Sequence, residues 1–262
     1  MLARKRRGPF VAGNWKMHLT LAEARELARE VAAAAPGLGG SGLVLVPPFT
    51  SLAAVGDAVA GSAVGLGAQD LYWEDKGAFT GEVSGPMLKD AGCAYVLVGH
   101  SERRRLFGET DETVNRKARA ALRSGLSPVV CVGEVLEERE AGRTTARIDL
   151  QLAGGLAGLS GEDMGRVIIA YEPVWAIGTG KTASPAQAEE VHAHIRRRLE
   201  EAYGKGAAGC AIIYGGSVKP ANSYSLFKEE NIDGFLVGGA SLEADGFVGI
   251  VREALRAYRE ET

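Results

Sequence analysis

Val167-Ile168-Ile169-Ala170-Tyr171-Glu172-Pro173-Val174-Trp175-Ala176-Ile177-Gly178-Thr179-Gly180-Lys181-Thr182 carries an apolar run into a carboxylate and then into a Gly-rich loop. The run from Val167 to Tyr171 is short, β-branched and preceded by charge, so it reads as a buried strand with Glu172 at its carboxyl end. Pro173 fixes one backbone angle directly after the acid, whereas Gly178 and Gly180 permit positive φ farther along. A stiff start followed by a permissive middle is what a lid over a base requires.

The same short apolar run recurs on both sides of this stretch: Pro9 to Gly13, Leu43 to Val46, Ala63 to Leu66, Tyr95 to Val98, Val129 to Val132, Ala211 to Tyr214 and Gly234 to Val237. With Val167 to Tyr171 they make eight expected strands. Helical patterns lie between them. Thr20-Leu21-Ala22-Glu23 has capping-box spacing, with Leu21, Leu27 and Val31 on or near one face of the helix that follows. Further helices are expected over Glu112 to Arg123, Ser184 to Ala202 and Phe247 to Tyr258, the second opening with an N-cap Ser184 and Pro185. Continuous apolar strands alternating with helices call for a parallel sheet with right-handed crossovers. Eight such units in about 250 residues predict an α/β fold of the closed (β/α)8 barrel type, parallel and eight-stranded. No linker or reversal point marks a second domain, so residues 1–262 read as one barrel domain, with residues 1–8 a loosely ordered basic leader.

A barrel demands that chemistry sit just past the strands, on the carboxyl-end face. Lys16, Gln69, His100, Glu134, Glu172, Gly215-Gly216 and Gly238-Gly239 all follow apolar runs directly. Strand-end carboxylates often cap the next helix, but a carboxylate closed away from water has its pKa raised and becomes a stronger base, which suits Glu172. His100 precedes Ser101-Glu102-Arg103-Arg104 at a helix start, where the positive end of the helix favours a neutral ring able to donate to a carbonyl. Lys16, if turned into the mouth, can hold an anionic substrate and the oxyanion formed from it. Three Gly-bearing turns follow late strands, around Gly178, Gly215-Gly216 and Gly238-Gly239, and backbone amides in such turns cradle phosphate. His18, His192 and His194 are weaker candidates and no metal-binding spacing occurs.

Bulk properties narrow the partners. The chain has 262 residues, 46% hydrophobic and 24% charged, with a net charge of −3, a balance that does not favour nucleic acid or an anionic membrane. The basic run Arg4-Lys5-Arg6-Arg7 lacks a following apolar segment, and no stretch approaches the ~20 apolar residues of a membrane span, so a cytoplasmic location is expected. Cys93, Cys131 and Cys210 are odd in number and far apart, which points to reduced thiols. Gly180-Lys181-Thr182 resembles the end of a P-loop, but Trp175 stands where that loop needs Gly. A dinucleotide fingerprint at Gly178 fails for want of an acid after the next strand. No cofactor is expected.

Taken together, Asn14-Trp15-Lys16, His100-Ser101-Glu102-Arg103-Arg104, Tyr171 to Lys181, Tyr214-Gly215-Gly216-Ser217 and Gly238-Gly239-Ala240-Ser241 closely resemble the motifs of the triosephosphate isomerase family, from about Phe10 to the last helix. The resemblance implies a TIM barrel and a cofactor-free interconversion of dihydroxyacetone phosphate and D-glyceraldehyde 3-phosphate through an enediolate. It implies Glu172 as base, His100 as neutral electrophile and proton shuttle, and Lys16 and Asn14 as stabilisers of the enediolate, with Glu102 orienting Lys16. Gly178, Ser217, Gly238 and Gly239 would hold the phosphate. It further implies a homodimer in which the loop 73–82, with Thr80 at its tip, enters the partner's site. Asp70 and His18 stand where such proteins often carry Asn, which puts a dimer-facing hydrogen bond and a minor polar contact in question. Two other functions fit the residues without the resemblance: a Schiff-base aldolase using Lys16, and a non-catalytic binder of phosphorylated metabolites.

Overall fold

The computed structural model describes residues 8–177 and 182–261. Its strands are β1 (Phe10–Asn14), β2 (Gly42–Val46), β3 (Val64–Ala68), β4 (Tyr95–Val98), β5 (Ser127–Val132), β6 (Ile168–Tyr171), β7 (Ala211–Tyr214) and β8 (Gly234–Val237). Each pairs in parallel with the next, and β8 pairs back onto β1, so the sheet closes as the eightfold alternation requires. β5 starts two residues before the apolar run does. Pro128 lacks an amide donor, yet it stands second in the strand and still sits in register with Val96.

The helices needed below are α1 (Leu21–Ala34), α2 (Ser101–Phe107), α3 (Asp111–Arg123), α4 (Pro185–Tyr203) and α5 (Ala244–Arg259). The Thr20 amide donates to Glu23 at the start of α1, and the Ser184 hydroxyl accepts from Gln187 at the start of α4, so both caps form where the sequence puts them. Ala24, Leu27, Ala28 and Val31 make the buried face of α1. Leu21, expected on that face, is 52% exposed because it is the first residue of the helix and the packed stripe begins a turn later.

Strand side chains alternate between two apolar layers. Ala12, Val44, Val46, Leu97, Val129, Cys131, Ile168, Ala170, Ile213 and Leu236 fill the barrel interior. Their neighbours Val11, Leu45, Val96, Val130, Ile169, Ile212 and Phe235 pack outward among the helices. β4 leads into α2 through Gly99, at φ +71°, where an added Cβ would come within 2.6 Å of Val114. Only glycine fits both the angle and the space. Gly99→Ala should therefore lower stability by about 1–3 kcal/mol, read as a shift of the urea midpoint at constant slope; an unshifted midpoint would show the turn to be unstrained.

Candidate active site

Alternation carries past the strand ends and decides which side chains face the mouth. Ala12 points in, so Asn14 does; Ala170 points in, so Glu172 does; Ala68 packs outward, so Gln69 turns in. Asn14, Lys16, His100, Glu172, Ser217, Gly238 and Gly239 accordingly line one cavity of about 560 Å³ at the carboxyl-end rim. Five separate strands contribute. Glu102 joins them through Lys16, whose Nζ lies 2.6 Å from Glu102 Oε1.

Glu172 is 2% exposed and fully engaged. Oε1 lies 2.9 Å from His100 Nε2, and the Ser101 amide donates to Oε2 at 2.8 Å. The Glu102 amide donates to His100 Nδ1 at 3.2 Å, which leaves Nδ1 without a proton and makes Nε2 the donor toward Glu172. When neutral, the ring is therefore the Nε2–H tautomer, a form that the helix start favours. Burial opposes charge on His100, while the Glu172 carboxylate beside it raises its pKa in this arrangement. Burial likewise opposes the Glu172 charge, yet His100 and the Ser101 amide outweigh burial and hold its pKa below the ordinary value. This corrects the expectation of a raised pKa: burial raises it only when Glu172 has left both partners.

The frame around these groups is equally explicit. Gly99, next to His100, has its N–H held by Glu109 Oε2 at 3.2 Å and its carbonyl by Arg104 Nε at 2.8 Å. Glu109 shares Arg103 and Lys117 with Asp70, which lies 2.6 Å from Lys117 Nζ and 2.9 Å from Arg103 Nη2. Asp70 thus ends in a set of four charges, of which only Arg103 is partly exposed. Burial lifts its pKa although Lys117 opposes the shift; burial also opposes charge on Glu109, but Lys117 and Arg103 prevail and lower its pKa. On the far side, Glu134 accepts from Tyr171 Oη at 3.1 Å and Trp175 Nε1 at 2.9 Å. The Val174 amide donates to the Glu134 carbonyl, so the root of the expected lid is fastened.

Gly178 and the rest of 178–181 lie outside the described residues. Thr80 is exposed on the loop 73–82 and does not line this cavity. His192 is buried, bonded through Nδ1 to the Asn231 carbonyl, and burial depresses its pKa to about 4. His194 pairs with Asp149, and His18 is exposed. Sequence reasoning missed the Ser101 amide, although the first residues of any helix leave amides unpaired. It also missed Lys219 and Glu243 at the edge of the cavity, for which side-chain type alone offers no signal.

A family model described as triosephosphate isomerase matches residues 9–254. The triosephosphate isomerase of Moorella thermoacetica is 56% identical over 245 residues, covering 94% of this chain and 98% of that protein. That of Trichlorobacter lovleyi is 52% identical over 247 residues, with 94% and 98% covered. The crystal structure of triosephosphate isomerase from Bartonella henselae superposes with a TM-score of 0.85 at 39% identity, covering 96% of this chain and 99% of that one.

The lowered Glu172 pKa has a thermodynamic sign. A depressed carboxylate contributes stability that is complete above its ordinary value of 4.5 and lost as pH falls through the depressed value. The protein should therefore lose stability relative to Glu172→Gln as pH drops below about 4.5, measured by urea unfolding of both proteins across that window; a constant difference would contradict the lowered pKa.

Proposed function

The chain belongs to the triosephosphate isomerase family, and on that premise we propose what its residues do. The reaction is the cofactor-independent interconversion of dihydroxyacetone phosphate and D-glyceraldehyde 3-phosphate, the aldose–ketose step of glycolysis and gluconeogenesis. Glu172 leaves His100 and Ser101, turns to the substrate and takes a proton from the carbon beside the carbonyl. Freed of its partners in a site closed to water, it gains basicity at the moment of use. His100, neutral, donates from Nε2 to the substrate oxygen and passes protons between the two oxygens. Lys16 and Asn14 steady the negative charge that develops, and Glu102 orients Lys16. Ser217, Gly238 and Gly239 hold the phosphate, together with Gly178.

One observation carries this reading: the buried contact of 2.9 Å between His100 Nε2 and Glu172 Oε1, at the rim of a cavity that Lys16 also lines. A general base contributes about 10²–10⁴-fold and an oxyanion donor about 10²–10³-fold, so a fast isomerase needs both. No observation favours the Schiff-base aldolase or the non-catalytic binder.

The chain reads as one barrel domain, with the basic run before Pro9 as its leader. The protein is a cytoplasmic homodimer without nucleic-acid or membrane partners. Met17, 93% exposed beside Lys16, and Phe79, 39% exposed next to Thr80, support the dimer, since apolar side chains so placed gain from being covered. No described helix is long and apolar enough to cross a membrane.

Glu172→Gln should fold and lose about 10²–10⁴-fold in kcat in a coupled assay of triose interconversion; wild-type turnover in that variant would remove Glu172 from the chemistry. His100→Gln should lower kcat far more than it raises KM, as for a group that acts in the transition state. The reverse pattern would make His100 a binding residue only. Sedimentation equilibrium should give twice the chain mass, and a monomer at micromolar concentration would dismiss the dimer and the role of Thr80.

A further inference from the structure

We propose that Gln69 is a positioning residue for the isomerisation: its side-chain amide fixes the left-handed backbone of Lys16 and thereby aims the Lys16 ammonium into the mouth. Lys16 has φ +51°, a region that residues with a Cβ enter at a cost. Such a conformation persists only where its surroundings over-determine it, and here they do. The Lys16 N–H donates to Asn14 Oδ1 at 3.0 Å, so one of its backbone polar atoms is held by a residue of the same turn. Its carbonyl is held from another strand: Gln69 Nε2, just past the end of β3, donates to it at 2.8 Å.

The second amide proton of Gln69 goes to the Val46 carbonyl at 3.0 Å, which anchors the donor to the end of β2. The Trp15 amide donates to the same carbonyl at 3.1 Å. One primary amide therefore spans the rims of two strands and delivers its remaining hydrogen to the strained residue. From that turn Lys16 Nζ reaches Glu102 Oε1 at 2.6 Å. Glutamine suits the position because it alone among side chains of this length offers two hydrogens on one uncharged nitrogen. A carboxylate in its place would set oxygen against two carbonyl oxygens.

The inference rests on Lys16 as the cation of the reaction, and the experiment separates the two. Gln69→Met keeps the length of the side chain and removes both donors. It should lower kcat/KM about 10- to 100-fold, the scale of a catalytic group displaced by an ångström, while unfolding stays cooperative. Since Gln69 and Glu102 both act through Lys16, the loss in Gln69→Met with Glu102→Gln should fall short of the product of the single losses by about threefold or more. Multiplicative losses, or wild-type kcat/KM in Gln69→Met, overturn the inference. Should Gln69→Met fail to fold, Gln69→Asn keeps the amide one carbon short and should show a smaller loss of kcat/KM; wild-type activity there overturns it as well. Lys16→Met is the control: full turnover in it defeats the assignment of Lys16 and the inference together, whereas loss in Lys16→Met without loss in Gln69→Met defeats the inference alone.

Discussion

A side chain that points into a closed eight-stranded barrel has no solvent to reach except along the axis. Inside, burial of an unpaired polar group is costly, so the inward positions from Ala12 to Leu236 are apolar. At the carboxyl rim the next inward positions meet space and water, and there the polar side chains appear: Asn14, Gln69 and Glu172 each stand one pleat beyond the strand residues that fill or flank the core. The same alternation that packs the protein thus delivers its chemistry to one end. Distant segments need no direct contact in sequence to meet there, because closure of the sheet brings every strand end to the same rim.

What the rim holds is a set of groups that satisfy one another when no substrate is present. Glu172 rests on the His100 ring and the Ser101 amide, Lys16 on Glu102, and His100 Nδ1 on the Glu102 amide. These contacts lower the basicity of Glu172 and keep a buried carboxylate tolerable. On the function proposed above, substrate competes with them and Glu172 gains basicity on release. Burial acts on the carboxylate throughout, but its effect on the base emerges only after the partners are gone.

The architecture was legible because β-branched runs recur at even spacing with capped helices between them, and such local signals survive folding unchanged. Boundaries shifted by a residue or two: β5 takes in Ser127 and Pro128 ahead of its apolar run, and Leu21 satisfied a helical stripe that does not extend to the first turn. That Glu172, His100 and Lys16 would meet at one rim was legible from residue type at strand ends. Their electrostatics were only half legible, since the accepting Nδ1 of His100 follows from a local helix start whereas the lowered pKa of Glu172 depends on a partner 72 positions away in the chain. Backbone donors such as the Ser101 amide carry no residue-type signature at all. Asp70 looked like a substitution of little consequence, and its buried partners Lys117 and Glu109 come from elements that nothing in the local sequence connects to it.

Those partners constrain how this chain can vary. Asp70, Glu109, Lys117 and Arg103 form two anions shared by two cations, and Asp70, Glu109 and Lys117 are nearly shut off from water. Subtracting any one member strands an opposite charge in a medium that solvates it poorly, at about 3–5 kcal/mol for a fully buried pair. Viable drift at these positions must then proceed by matched exchanges that preserve neutrality, so an anion and a cation should disappear or return together. Because Glu109 also grips Gly99, electroneutrality in this pocket and the placement of the imidazole are inherited as one trait.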